Sequence, residues 1–136
     1  MPICMNASEN SCEELLALSQ HLLDAIFAGD WQAYVDLCDP TISCFEPEAL
    51  GHLVQGMEFH RYYFELERGP ATPVRVTMAS PHVRMLGPDA AVVCYVRLVQ
   101  SLSGDGQPQT KAGDETRIWR RVDNRWRHVH FHRSPA

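Results

Sequence analysis

The chain has 136 residues and a mass of 15.4 kDa, enough for one domain with its own core and too little for two. Hydrophobic residues make up 45% and charged residues 21%, which excludes disordered, collagen-like and disulfide-rich miniprotein classes, and no apolar stretch reaches the roughly 20 residues of a membrane span. The net charge is -5, with twelve acidic residues before residue 68 and eleven basic residues after residue 67; because the basic residues are scattered among apolar ones, we expect no nucleic-acid partner.

The first half of the chain has helical periodicity. The sequence predicts helices over residues 8–28, 31–38 and 57–67, and short strands over residues 42–45 and 53–54. Leu15, Leu18 and Leu22 recur on one face of the first helix. Gly29 suits the end of a helix and Asp30 suits the start of the next, so we expect two helices in direct succession.

From residue 74 the periodicity changes to two, which is typical of strands. The sequence predicts strands over residues 74–86, 90–102, 110–122 and 125–133, joined by short polar turns. Pro81 inside the first of them indicates a bulge or a sheet edge. Helices followed by an antiparallel meander predict an α+β fold in which a curved sheet wraps around a helix.

Three strand arginines, Arg97, Arg117 and Arg133, share strand faces with apolar and aromatic residues. Such faces point to a core, so we expect the guanidinium groups to converge inside the curved sheet. A pocket of this charge needs an anion, and we predict that it binds a small carboxylate. On this hypothesis Arg117→Ala abolishes binding and leaves the fold intact. The alternative is that each arginine pairs with a structural Asp or Glu or lies at an open sheet edge.

Histidines raise the question of a metal site. Strict alternation places His128, His130 and His132 on one face of the last strand, but they span roughly 13 Å, too far for one ion, and no nearby acidic residue completes a site. We therefore predict no metal and no other cofactor, and interpret the row as solvent-facing or part of an interface. His60 is the helix histidine that can face the sheet; the alternative is a helix-surface position.

The chain contains five cysteines and no C-x-x-C pair, and its N-terminus lacks the basic and apolar regions of a signal peptide. We therefore expect free thiols in a cytoplasmic protein, with Cys94 as a core residue rather than a nucleophile. The chain has no P-loop, no G-x-S-x-G and no kinase motif. The strand over 90–102 has no carboxylate, which argues against acid–base catalysis in the pocket.

Seven stretches of the chain carry a family resemblance. They are Cys38–Pro40, Cys44–Gly51, Gly56–Glu65, Ser80–Val83, Tyr95–Leu98, Glu115–Trp119 and Val129–Ser134. In this order they resemble the association (hub) domain of calcium/calmodulin-dependent protein kinase II over residues 11–134. We therefore divide the chain into a flexible N-terminal segment over residues 1–10 and an association domain over residues 11–136.

The resemblance implies the cone-shaped α+β fold of the nuclear transport factor 2-like (SnoaL-like) superfamily, with N-terminal helices packed on a strongly curved, mostly antiparallel sheet. It also implies a homo-oligomer that closes into two stacked rings, a dodecamer, tetradecamer or larger, and tethers kinase domains. The pocket of that family binds small carboxylates of the γ-hydroxybutyrate type. The residues that match the pocket are His60, Arg97, Arg117 and Arg133, with Arg61 and Tyr95 as secondary candidates.

The resemblance thus predicts a non-catalytic oligomerisation hub, with copies of itself, a small carboxylate and a kinase carrying the same hub as partners, and with no membrane partner. Both a hub within a larger kinase and a stand-alone relative fit the sequence. The alternative function is a cone-fold enzyme or binding protein for a small carboxylate, with His60 as general base. The loop Leu66–Pro70 lacks the tryptophan of one family form, which argues against ligand-gated movement of this loop.

Overall fold

The computed structural model describes residues 2–66 and 73–135. Within these residues the helices are α1 (Glu9–Ala28), α2 (Trp31–Leu37) and α3 (Glu58–Glu65), and Pro47–Ala49 forms a 3₁₀ turn. The strands are β1 (Ile3–Met5), β2 (Cys38–Phe45), β3 (Val54–Gln55), β4 (Arg75–Met85), β5 (Ala90–Leu102), β6 (Pro108–Val122) and β7 (Arg125–Pro135). Every helix and strand predicted from the sequence is present, with differences at the ends. Residues 67–70, most of the loop that lacks the family's tryptophan, lie outside the described residues.

The junction between α1 and α2 follows from three residues. Ser8 caps α1 by accepting a hydrogen bond from the backbone N–H of Ser11. Gly29 ends α1 at a φ of 71°, a left-handed conformation that glycine adopts without strain. Asp30 then accepts from the backbone N–H of Ala33 and starts α2. The chain therefore turns sharply, and α2 packs beside α1.

The sheet has the strand order β1-β4-β5-β6-β7-β2-β3. The long strands β4 to β7 form the predicted antiparallel meander, while β1 pairs in parallel with β4 and β2 pairs in parallel with β7. The three helices pack on this curled sheet. The prediction of an α+β fold with a curved, mostly antiparallel sheet is therefore confirmed. No described helix combines the length and the hydrophobicity needed to cross a bilayer.

Trp119 of β6 connects the sheet to α1 through a hydrogen bond to Ser19. Its side chain has no exposed surface, and its indole Nε1–H donates to the Oγ of Ser19 at 3.2 Å. Around this contact lies the core, formed by the inward side chains of α1, α2 and the central strands; its members without exposed surface include Leu15, Leu22, Leu23, Ile42, Val83 and Val93. Burying these side chains is the main favourable term for the fold.

The N-terminal segment differs from the prediction. The sequence predicts a flexible segment over residues 1–10, but Ile3–Met5 pairs with His82–Arg84 of β4. Cys4 forms a disulfide with Cys12, so the expectation that all five thiols are free is wrong for this pair. Because α1 starts only four residues after β1 ends, Cys4 and Cys12 lie close together. Their Cα atoms are 6.0 Å apart, a distance that a disulfide spans. The free cysteines are Cys38, Cys44 and Cys94.

Two β-bulges shape the long strands. In β4 the register shifts between Ala79 and His82, where the sequence predicted a bulge or an edge at Pro81, and Ser80 has a φ of 50°. Ile118 and Trp119 are successive residues of β6, and they pair with His130 and His128 of β7. Val129 is therefore the extra residue of a bulge in β7. Because a bulge shifts the alternation of side chains, it changes which histidines face the core.

The predicted row of three histidines on one face of β7 is therefore wrong. His128 faces the core and has no exposed surface. His130 and His132 remain on the other face, where both rings contact Phe45 of β2 and Ser43 Oγ lies 2.7 Å from His130 Nδ1. The bulge thus sends one histidine to the interior and two to the outside.

Candidate ligand-binding cavity

A cavity of about 290 Å³ lies between the helices and the open end of the sheet. Its lining residues are Ile26, Phe27, Tyr34, Glu46, Glu48, His60, Tyr63, Phe64, Arg97, Arg117, Phe131 and Arg133. The four pocket residues predicted from the sequence are all among them. The strand faces inferred for the three arginines are therefore confirmed by their position, while their role in binding stays a prediction.

The floor of the cavity is a buried ion pair. Arg117 Nη2 donates to Glu115 Oε1 at 2.8 Å, and Arg117 Nε donates to the hydroxyl of Tyr95 at 2.7 Å. Tyr95 in turn donates to Glu115 Oε1 at 2.6 Å. Glu115 and Arg117 are 2% and 1% exposed. Burial opposes ionisation of Glu115, but Arg117 and the hydroxyl of Tyr95 outweigh it and hold the pKa of this carboxyl below its ordinary value.

His128 extends this network under the cavity. Arg117 Nη1 lies 3.4 Å from His128 Nε2, and Cys38 Sγ lies 3.6 Å from His128 Nδ1. Since a guanidinium can only donate, Nε2 must accept, and the ring proton lies on Nδ1. Burial, with Arg117 close by, lowers the pKa of His128 well below its ordinary value, so the ring is neutral.

Arg97 lies between the floor of the cavity and the solvent, and 18% of its side chain is exposed. Its Nη1 lies 3.2 Å from Glu115 Oε2, and its guanidinium lies 5.8 Å from the ring centre of Phe27. Gly113 is its partner across the strand pair, and a Cβ added there would lie 3.7 Å from Arg97 Nη2 and 3.1 Å from the carbonyl oxygen of Ser134. Within the described part of the chain, Arg97 Nε and Glu115 Oε2 are buried without a hydrogen-bond partner.

The rim of the cavity carries a second cluster of charges. Arg133 Nη2 donates to Glu46 Oε2 at 3.3 Å and to Glu48 Oε2. Glu48 lies on the 3₁₀ turn, and its side chain is 38% exposed. Burial raises the pKa of Glu46, whereas for Glu48 the hydrogen bond from Arg133 outweighs partial burial and lowers the pKa. The three arginines thus face three glutamates, and their formal charges balance.

His60 projects from α3 into the wall of the cavity and is 6% exposed. Its Nδ1 lies 3.8 Å from Glu46 Oε1, and its Nε2 lies 3.8 Å from Cys44 Sγ. Its ring packs against Tyr34 and Phe131. Burial, assisted by the charge of Arg117, lowers the pKa of His60 to about 4, so the imidazole is neutral at pH 7.

The two secondary candidates do not line the cavity. Arg61 lies on the outer side of α3, where its Nε pairs with Glu65 Oε1 at 2.8 Å. Tyr95 lies beneath the floor, bonded to Arg117 and Glu115 as described. Arg61 is therefore separate from the site, and Tyr95 supports it from below.

Four side chains that contact the predicted pocket residues were not assigned to the site from the sequence: Glu46, Glu48, Glu115 and His128. The signal for Glu115 was present, since it stands two residues before Arg117 on the same strand and therefore shares its face. Its presence removes the support of the argument against acid–base catalysis, because the absence of a carboxylate holds for β5 and not for β6. Each arginine pairs with a carboxylate, so the arrangement is the structural alternative that the sequence left open.

Comparisons with known proteins identify relatives of the chain. The family model described as calcium/calmodulin dependent protein kinase II association domain matches residues 11–136. The delta subunit of calcium/calmodulin-dependent protein kinase type II from Oryctolagus cuniculus is 46% identical over 123 residues. This match covers 90% of the present chain and 23% of the rabbit protein, so the chain spans less than a quarter of that relative. The matching region is the association domain and not the kinase domain.

Solved structures agree with this match. The hub homology domain of the Chlamydomonas reinhardtii kinase is 50% identical, with a TM-score of 0.88 over 93% of this chain and 98% of that one. The association domain from C. elegans is 44% identical, with a TM-score of 0.86 over 93% and 96%. A nuclear transport factor 2-like protein from Salmonella enterica, at 22% identity and a TM-score of 0.74 over 95% and 93%, shares the fold. The predicted cone-shaped fold is thereby confirmed.

Proposed function

Since this chain belongs to the calcium/calmodulin-dependent protein kinase II association domain family, we propose that it is a non-catalytic oligomerisation hub whose copies close into two stacked rings. The match over residues 11–136 carries the proposal. Repetition of one head-to-tail contact closes such rings when the rotation between neighbours permits it. A kinase that carries the same hub is a partner of the same kind, because it would present the same contact surfaces.

The distribution of exposed apolar side chains supports assembly. Among the described residues, twelve large hydrophobic side chains are exposed, and half of them fall between residues 45 and 66. These six are Phe45, Leu50, Leu53, Tyr62, Tyr63 and Leu66. Concentrated apolar exposure of this kind marks interaction surfaces, so we assign this segment to a contact between copies.

Native mass, measured by sedimentation velocity and native mass spectrometry, tests the hub. We expect ten or more subunits for the wild-type chain and smaller species for Leu50→Asp, because a charge would be buried in the contact. Leu50 is 87% exposed with a φ of 52°, a conformation that Asp tolerates, so the fold should survive. Leu102→Asp, at an exposed site outside the segment, is the matched control. A wild-type monomer or dimer would refute the proposal.

We further propose that the cavity binds a small carboxylate. Arg97 is its first contact, because its side chain is 18% exposed and its Nε has no hydrogen-bond partner among the described residues. Arg133 is the second, since the ligand can replace Glu48, its most exposed partner. A charged hydrogen bond gained at each arginine would offset the dehydration of the ligand.

Titration calorimetry with γ-hydroxybutyrate tests this binding. We expect Arg97→Gln to weaken the affinity about tenfold or more, because it removes a charged hydrogen bond. Arg84→Gln removes the same charge from an exposed position on β4 and should bind like the wild type. Equal affinity of the two variants would refute the assignment of Arg97, and absence of heat with the wild type would refute the carboxylate itself.

A further inference from the structure

At the end of β2 the chain brings a thiol, a carboxylate and an imidazole together beside the cavity. Cys44 Sγ lies 3.8 Å from Glu46 Oε1 and 3.8 Å from His60 Nε2, and one ligand atom from each residue lies within 4.8 Å of the other two. We propose that Cys44, Glu46 and His60 form a binding site for Zn²⁺. This proposal departs from the sequence-based prediction of no metal in the chain, which was argued from the β7 histidines.

Local backbone geometry explains the cluster. Glu46 is extended, with φ of -151° and ψ of 156°, so the alternation of β2 continues through it and places its side chain on the same side as Cys44. α3 then supplies His60 from the opposite wall. In a tetrahedral zinc site the sulfur lies about 3.6 Å from an oxygen or nitrogen ligand, given the usual bond lengths. The observed sulfur distances of 3.8 Å are close to this value. The ligand atoms of Glu46 and His60 lie within 4.8 Å of each other, so binding of one ion would draw these two side chains together.

Arg133 orients the carboxylate for this role. Its Nη2 binds Glu46 Oε2 at 3.3 Å, while Glu46 Oε1 faces Cys44 and His60. Outer partners that hold one oxygen of a ligating carboxylate fix its direction and are typical of zinc sites. The arrangement therefore has both an inner set of ligands and a support for one of them.

Zinc binds a thiolate and a neutral imidazole, so each ligand must be deprotonated at the atom that binds the ion. The ion must therefore displace the thiol proton of Cys44, and its affinity should increase with pH. Arg117 and Arg133 oppose a further positive charge, and the ionised thiol and carboxylates offset them.

A fourth position is available on the cavity side. Glu46 and His60 both line the cavity, whereas Cys44 lies behind them with no exposed surface. Three protein ligands with one position for water or a small molecule are a common zinc arrangement. The proposal does not require carboxylate binding, since the three ligands belong to the chain itself.

Cobalt substitution provides the test, because Co²⁺ takes zinc sites and reports its ligands by absorption. The assembled protein is titrated with CoCl₂ under anaerobic conditions in a buffer without carboxylates, and without reductant so that the Cys4–Cys12 disulfide stays closed. We expect one equivalent of Co²⁺ to give a thiolate-to-cobalt charge-transfer band and the visible bands of a tetrahedral ion. Addition of Zn²⁺ should displace Co²⁺ and remove all of these bands. Cys44→Ser should lose the charge-transfer band, and Cys94→Ser, a free cysteine outside the cluster, should keep it.

Two results would overturn the site: the absence of the band in the wild type, and its persistence in Cys44→Ser. If the band persists in Cys44→Ser and is lost in Cys38→Ser, the ion lies instead at the pair of Cys38 and His128. If Cys44→Ser loses its circular dichroism spectrum, His60→Gln decides. An affinity for Co²⁺ weakened about tenfold or more supports the site, and an unchanged affinity overturns it.

Discussion

The cavity contains two arginine–glutamate clusters that differ in access to water. In the floor cluster, Arg117 and Glu115 are almost fully buried and bonded to Tyr95. In the rim cluster, Arg133 keeps 18% of its side chain exposed, and its partner Glu48 keeps 38%. The same pair of residue types therefore occurs once as part of the core and once as part of a surface.

This difference decides what each cluster can do. A buried pair loses a great deal when one member is removed, since the other is left as an unpaired charge in a medium of low dielectric constant. A pair with access to water loses less, because water can partly replace the missing partner. The floor thus holds the shape of the cavity, while the rim can exchange an internal carboxylate for a ligand.

The largest expected effect is on the floor. Arg117→Ala should lower the free energy of unfolding by about 3–5 kcal/mol, because Glu115 would lose its closest partner. Arg133→Ala should lower it by less, about 1–2 kcal/mol, because water reaches Glu48 although the more buried Glu46 loses its guanidinium partner. Urea unfolding followed by tryptophan fluorescence measures both. Losses of equal size would abolish the distinction between floor and rim. The sequence-based expectation that Arg117→Ala leaves the fold intact is revised accordingly, and Arg97 becomes the residue for binding tests.

The next effect is a dependence of stability on pH. The pKa of His60 is about 4 in the folded chain, whereas an exposed histidine has about 6.5. Between these values the unfolded chain binds a proton that the folded chain does not, so stability falls as pH decreases. From pH 7 to pH 5 the loss due to His60 should be about 2 kcal/mol. Urea unfolding at both pH values measures this. The free energy of unfolding of His60→Gln should fall less than that of the wild type, by this amount, and equal losses in wild type and variant would contradict the prediction.

Much of the fold could be predicted because its signals are local. The helix caps at Ser8 and Asp30, the end of α1 at Gly29 and the alternation of β5 follow from neighbouring residues. Alternation also placed the three arginines in one cavity. The helix pattern left His60 either facing the sheet or on the helix surface, because its position depends on how α3 packs. Resemblance to a known family assigned it to the pocket.

The remaining features depend on register and on distant contacts. The bulge at Val129 cannot be deduced from strand alternation, and it moved His128 into the core. The pairing of Cys4 with Cys12 required β1 to dock on the edge of β4, which no sequence period indicates. Glu46 approaches Arg133 only because β2 and β7 are neighbours in parallel. For this reason the glutamate that balances the charge of Arg133 could not be identified from the sequence.

The smallest expected effect is on ligand affinity, and it tests whether Glu48 competes with a ligand for Arg133 at the rim. If Glu48 occupies Arg133 as an internal competitor, Glu48→Gln should raise the affinity for γ-hydroxybutyrate by a few-fold, which corresponds to less than about 1 kcal/mol for a partly exposed ion pair. Glu13→Gln removes the same charge from an exposed position on α1 and controls for the general electrostatic change. Calorimetric affinities that rise equally in both variants would assign the gain to net charge, whereas a gain in Glu48→Gln alone requires exchange at Arg133. Because Glu46 would still hold Arg133 in place, this variant should keep the stability of the wild type, which separates ligand exchange at the rim from support by the floor.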